Sequence, residues 1–457
     1  MKSKLRNLFR QVEWSYLSQL YKPILVIILG VHSFTASAQN VKVLALSEAV
    51  DLGVRNSKNL KLAQSKIDQA IVRYHQALDS RLPTGSVSYT YNHAEILANK
   101  VQLTPEQQPV ILPKHADAAI GIAGLQEVLF AGNKLRYARE STQLLTDIAR
   151  LDADKDQEEI IYNITNAYYN LYKLQQSKKV VDQNLQAIDR QIKQAQRFFE
   201  QGIVTKNDVL RFQLQRSNVE LSGVDLETNR KIVVYNLGIL LGLPDNTDLQ
   251  TEELHNPVSE APALTSFMET AFANRQELKS LSLNSQVADL NIKSIKADAM
   301  PTVLVGTNAY YVNLKGPFLP QTNGFIAPVT AAATVAWNFD RIWQNKNKIS
   351  EARIQKTQLD ITRDLTTDQV KTEVNQNYQN YVKALERIKI LETSIVQARE
   401  NDRTTASQYQ NKVATATERV DAQSELFQAQ INLELARADA QIAYYTLLKS
   451  TGKISQK

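Results

Sequence analysis

The chain has 457 residues, of which 43% are apolar and 22% charged, with a formal net charge of +6 and no cysteine. That composition supports a sizeable core but is too polar for a bundle of membrane-spanning helices. The lack of cysteine excludes a disulfide framework, thiolate chemistry and a lipid-bearing cysteine behind a leader.

The first elements read as a targeting segment. Lys2, Lys4, Arg6, Arg10 and Lys22 form a long basic region, Pro23–Leu29 is an apolar run, and Ala36-Ser37-Ala38 offers a small-x-small cleavage pattern. Cleavage is expected after Ala38, giving a signal peptide over 1–38; the alternative is an uncleaved anchor. Removing 1–38 leaves 48 Lys+Arg against 46 Asp+Glu. The basic excess therefore stops arguing for a nucleic-acid partner, and no basic, aromatic-interleaved patch replaces it.

Two stretches break an otherwise helical pattern in the first half. Residues 85–93 alternate, with Val87, Tyr89 and Tyr91 on one face, and 119–130 form a weaker strand. A polar loop, 94–116, joins them. No glycine then occurs between Gly132 and Gly202, and no proline between Pro113 and Pro244, so 133–241 reads as a long helical hairpin. Ile160, Ile164, Ala167, Leu171 and Leu174 supply its apolar stripe. Gly202 interrupts it, where a glycine can take a positive φ at a helix end. Thr205, Asn207 and Asp208 all offer side chains able to cap the helix that follows.

The second half repeats this order. Strands are expected at 302–313 and 329–339, with a loop at 313–328 and a second long hairpin at 342–450. No proline follows Pro328, and no glycine lies between Gly324 and Gly452. Leu426, Ala429, Leu433, Ala436, Ala440, Ala443 and Leu447 make an alanine-rich seam at steps of 3 and 4. Leu82-Pro83-Thr84 answers Met300-Pro301-Thr302 218 residues later, and Asn163-Ile164…Tyr168 answers Glu373-Val374…Tyr378 at an offset of 210. The chain is thus read as a repeat over 39–263 and another over 264–457. Each runs helix, strand, loop, strand, long helix, turn, long helix.

Each strand is roughly ten residues, enough for a tilted strand to cross a bilayer. Four such strands cannot close a barrel, and open edges are not tolerated in lipid. Three copies would supply twelve strands above helical rods of roughly 100 Å. Five scattered histidines, His32, His75, His93, His115 and His255, show no metal-ligand spacing, and there is no phosphate loop or Gly-x-Ser-x-Gly elbow. No catalysis, cofactor or metal is expected.

Several segments resemble the TolC-like outer-membrane efflux protein family. Phe130-Ala131-Gly132 and Trp337-Asn338-Phe339-Asp340 are similar to its post-strand W-x-x-F-D-G-G segment. Gly202-Ile203-Val204-Thr205-Lys206-Asn207-Asp208-Val209 is similar to its first-tip G-x-x-T-x-x-D-V, and Lys412 to Ala422 to its second-tip G-T-x-T-x-x-D-V-L-D-A. The resemblance covers about residues 41–452. It implies a homotrimer with a twelve-stranded β-barrel in outer-membrane lipid and a twelve-helix coiled-coil tunnel in the periplasm. It implies partners as well: a periplasmic adaptor (membrane fusion protein) and an inner-membrane transporter of a tripartite efflux or type I secretion system. Such a protein would be a passive exit duct for drugs, small molecules or proteins.

On that resemblance Gly202, Thr205, Asp208, Lys412, Thr415, Glu418 and Asp421 mark the hairpin tips. A simple helix reversal without partner contact is the other reading. Asp421 fits either a local ion pair or the channel mouth. Lys412 and Glu418 depart from the family's glycine and aspartate, so the second turn is expected to differ in shape. Phe130, Trp337, Phe339 and Trp343 fall at the barrel–tunnel junction, where both an interfacial aromatic belt and ordinary packing fit. A periplasmic coiled-coil adaptor or scaffold would explain the helices but not the duplicated strands; a surface adhesin would need its polar loops to bind a target.

Overall fold

The computed structural model describes residues 41–95, 97–98, 100–102, 104–106, 108–111, 114–253, 262–315 and 324–454. The expected signal peptide lies outside them.

Helices dominate because long stretches lack proline and glycine while keeping a repeating apolar stripe. After a short strand β1 (Val41–Leu44) come α1 (Leu46–Asn56) and α2 (Lys58–Asp79). The strands β2 (Thr84–Glu95) and β5 (His115–Ala131) flank a small pair, β3 (Lys100–Val101) and β4 (Val110–Ile111). The first long hairpin is α3 (Lys134–Glu200) and α4 (Lys206–Leu241), followed by β6 (Asp248–Thr251). The order recurs with α5 (Leu264–Asn274), α6 (Gln276–Ala297), β7 (Thr302–Lys315), β8 (Gly324–Ile326), β9 (Val329–Ala336), α7 (Arg341–Gln410) and α8 (Ala416–Ser450). At 67 and 70 residues, α3 and α7 are each roughly 100 Å long.

Several details differ from the expected layout: β5 begins at His115 rather than 119, β3 and β4 lie within the expected loop 94–116, and β8 within the expected loop 313–328. The helix before each strand pair is broken in two, at Ser57 and at Arg275, where ψ is near 120° and the backbone is extended. The fourth strand stops at Ala336, three residues before Phe339.

The helices form four columns. α3 and α7 run the full length. α4 ends at Gly242 (φ 68°), whose absent side chain lets Asn56 sit against the helix end; a Cβ there would lie 2.8 Å from the Asn56 Cβ. Asn56, the last residue of α1, donates to the Leu241 carbonyl at 2.7 Å, so α2, which starts two residues later, begins where α4 ends and both lie along α3 in one column. α8 and α6 meet in the same way, through Arg275 donating to the Ser450 carbonyl at 3.2 Å. Contacts place the columns in the order α2/α4, α3, α6/α8, α7. The alanine-rich seam of α8 is buried at Ala429, Leu433, Ala436, Ala440 and Leu447. Its small side chains allow close approach of its neighbours.

The main sheet is antiparallel in the order β2-β5-β7-β9, with β8 also on β7. Its order repeats that of the columns, since β2 follows α2, β5 precedes α3, β7 follows α6 and β9 precedes α7. One face carries Val87, Tyr89, Val329 and Val335, all strongly exposed.

The largest core lies beside the middle of α3. Leu44, Ile164, Tyr168, Leu237, Leu241 and Leu249 pack there. β1 and β6 pair in parallel over it, and the Tyr168 hydroxyl donates to the Leu44 carbonyl at 3.0 Å. Burial pushes the Tyr168 phenol up to about 12.

Candidate functional site

Both hairpin tips are built by one device. α3 ends in a residue with positive φ, Gly202 (73°), and α7 ends in another, Lys412 (64°). At the first turn the Gly202 and Ile203 amides bond back to the carbonyls of Phe199 and Phe198. At the second, the Lys412 and Val413 amides bond to those of Tyr409 and Gln408. The expected difference between the two turns is therefore absent. Lys412 takes the left-handed conformation that glycine would take, because the same pair of back-bonds holds it there.

Capping is equally matched. Thr205, rather than Asn207 or Asp208, is the N-cap of α4: its hydroxyl accepts from the Asp208 amide at 3.3 Å. The Asp208 carboxylate accepts from the Thr205 amide at 2.8 Å. Thr415 and Glu418 form the same reciprocal pair at 3.2 and 2.7 Å. Such boxes satisfy donors that a helix start leaves free. The bond from the Thr415 amide holds the Glu418 carboxyl below its usual range. Asp421 is exposed and makes no ion pair among the described residues.

The structure brings the two tips together. Val209 and Phe212 of α4 pack with Ala195, Tyr409 and Ala416 into a small buried core. The Phe212 and Tyr409 rings lie 5.7 Å apart. Arg419 is buried beneath the second turn and bonds Asp402 at 2.5 Å. One turn further along, the Gln423 amide donates to Asn184 across the hairpins at 2.8 Å. Ile203 and Val413 project from the turns into solvent. Sequence reading missed Phe212, Tyr409, Arg419 and the Asn184–Gln423 bond. Only the apolar step from Val209 to Phe212 hinted at a core so close to a turn.

At the opposite end of α7, Trp337, Phe339 and Trp343 form an exposed chain of rings, with centroids 6.2 and 5.7 Å apart. The Trp337 indole N–H donates to the Ala299 carbonyl at 3.0 Å. Phe130 lies across from Val303 at a register shift in β5 and is not part of that chain. Among the described residues no cluster of His, Asp and Glu could hold a metal, and no helix is long and apolar enough to cross a membrane.

The family model described as outer membrane efflux protein matches residues 113–243 and 267–453. The chain belongs to the outer membrane efflux protein family. This outer membrane efflux protein is 23% identical over 349 residues to the outer membrane efflux protein BepC of Brucella suis, covering 73% of each chain. Its fold is similar to the outer membrane protein VceC of Vibrio cholerae, with a TM-score of 0.71 at 15% identity over 89% of this chain and 96% of that one. It is similar also to the Campylobacter jejuni CmeC outer membrane channel, with a TM-score of 0.69 at 14% identity over 90% and 86%. The family is one of ducts rather than enzymes, and the molecule is an outer-membrane exit duct with its helical columns in the periplasm.

Proposed function

We propose that three copies close into one duct that works as the outer-membrane part of a tripartite efflux or type I secretion assembly. One observation carries this reading: each protomer is a ribbon open on the same two flanks in both its sheet and its helices. β2 and β9 each leave an outer edge unpaired among the described residues. The columns that continue from them, α2/α4 and α7, expose apolar stripes, with Leu214, Leu221 and Tyr235 on α4 and Ile354, Ile361 and Leu365 on α7. Unpaired strand edges are not tolerated in lipid, and an apolar stripe on a long helix needs a partner. Pairing the two flanks around a ring satisfies both. Two copies give about eight strands, a barrel that side chains fill; three give twelve, which leaves a lumen.

In this reading 39–263 and 264–457 are two structural repeats behind a leader over 1–38. Trp337, Phe339 and Trp343 suit the interface between lipid and periplasm, since aromatic rings favour that mixed environment. The paired tips, with Ile203 and Val413 exposed, are the surface that meets a periplasmic adaptor, and an inner-membrane transporter supplies cargo. The duct itself does no chemistry.

Gly202→Val tests the docking role. A Cβ at Gly202 meets nothing within 4 Å, so the change acts through the backbone, forcing a β-branched residue into a left-handed conformation. The expected result is normal membrane insertion with lost adaptor cross-linking and export. Unchanged cross-linking and export by the inserted variant would contradict it.

A further inference from the structure

Halfway along the columns an amide-lined groove runs between α3 and α4. Asn163, Asn166 and Asn170 line it from α3, Asn229 and Asn236 from α4, and the cavity holds about 450 Å3. Ala167, Leu174, Ile232 and Val233 add apolar lining. The single ammonium in it, Lys173, is neutralised by Asp439 at 2.7 Å. Asn170 donates back to Asn166 within α3. Asn163, Asn229 and Asn236 make no hydrogen bond to protein among the described residues, so their amides are presented to solvent.

The groove faces the lumen if the columns close as a tube. Tyr168, on the other side of α3, is only 2% exposed and bonds to β1. On α4, Leu237 and Leu241 join the core beside α3, while Leu214, Leu221 and Tyr235 form the open flank. Arg230, seven residues before Leu237 and on the same side, bonds Asp248 of β6 at 2.6 Å, and Asn229 and Asn236 lie about 100° round the helix from that side. The side carrying β1, β6 and α1 must be the outer one. Twelve helices spaced roughly 10 Å apart frame a lumen that three such blocks would fill. The second repeat keeps amides at two of the three matching positions on α7: Gln376 and Asn380 answer Asn166 and Asn170, and both are exposed, while Glu373 answers Asn163 and is paired with Arg275.

We propose that this groove is a weak binding station on the duct wall for an uncharged saccharide. The proposal rests on the trimeric duct reading and extends it to cargo chemistry. Carboxamides donate and accept at once, as sugar hydroxyls do, and the C–H face of a pyranose fits the apolar side chains between them. An uncharged groove offers nothing to hold an ionic cargo, and its polar rim disfavours a wholly apolar one.

Asn163→Ala/Asn229→Ala/Asn236→Ala tests it. These side chains are exposed and alanine favours helix, so the fold is retained. Single-channel recording is made with maltohexaose on the periplasmic side, against polyethylene glycol of equal size and a neutral hexapeptide. Maltohexaose should block the native channel, with dwell times about tenfold shorter in the triple variant after loss of several hydrogen bonds. Polyethylene glycol should show no difference between the two proteins. Equal maltohexaose dwell times in both, or blockade by the hexapeptide but not the saccharide, would overturn the proposal. A protein that opens no pore would contradict the duct reading instead. Equilibrium binding of labelled maltohexaose to the detergent-solubilised protein then decides the groove. Binding reduced in the triple variant supports the station, and equal or absent binding overturns it.

Discussion

Lys412 and Gly202 occupy equivalent turns at unequal cost. An L-residue in the left-handed region is disfavoured by about 1–2 kcal/mol, and glycine is not. Lys412→Gly should therefore stabilise the second tip by about 1 kcal/mol, read as greater hydrogen-exchange protection at Val413 and Ala414. Unchanged or lower protection would show that Lys412 is held by something beyond its two back-bonds. Another residue-scale test lies at Glu158, buried on α3 near the break between α5 and α6. Burial raises its carboxyl above the ordinary value; Glu277 and Asp154 add to the rise, while Gln276 and Arg275 oppose it. A carboxyl raised on folding contributes stability below its unfolded value and loses it as pH rises through the folded value. Glu158→Gln should thus gain thermal stability over the native protein as pH rises from about 4, the ordinary range of a glutamate carboxyl; a pH-independent difference would contradict this. The caps show what sequence can and cannot tell at this scale. Thr205, Asn207 and Asp208 were equally capable of capping by type. The choice of Thr205 follows from where the backbone leaves its helical angles, which composition does not encode.

For whole elements, the long helices and the strand pairs were readable because their signals are periodic and uninterrupted. The α8 seam from Leu426 to Leu447 could be read residue by residue. The β1–β6 pair was not. Val41–Leu44 and Asp248–Thr251 are four-residue runs some two hundred positions apart, too short for a period and joined only by the core under them. The breaks at Ser57 and Arg275 were hidden similarly, since neither residue is a strong helix breaker and tertiary contacts decide there. Among the elements, α4 carries the sharpest prediction. Leu214 and Leu221 are each 63% exposed on the open flank, where substitution cannot disturb the protomer core. Leu214→Glu/Leu221→Glu should leave the protomer folded but place charges in an apolar contact between copies, at a cost of several kcal/mol per ring. The expected outcome is native helix content by circular dichroism with loss of the oligomer on gel filtration. An intact oligomer would remove this stripe from the interface.

At the scale of the whole molecule, the protomer is half of several things at once. Among the described residues its sheet has two unpaired edges and its outer helix columns two exposed apolar stripes, and both pairs fall on the same flanks because strand order follows column order. The tips and the aromatic rings at Trp337, Phe339 and Trp343 stand at opposite ends of a rod roughly 100 Å long, as a duct between lipid and a periplasmic partner requires. The repeat made this frame visible in the sequence. The asparagine-lined groove between α3 and α4 was not visible, because an exposed amide on a helix reads as ordinary surface until the columns bring several together. The most direct test is the mass and conductance of the mature protein extracted from outer membranes in mild detergent. The duct predicts a particle of three chains that opens an ion-conducting pore in a planar bilayer. A folded monomer that opens no pore would contradict it.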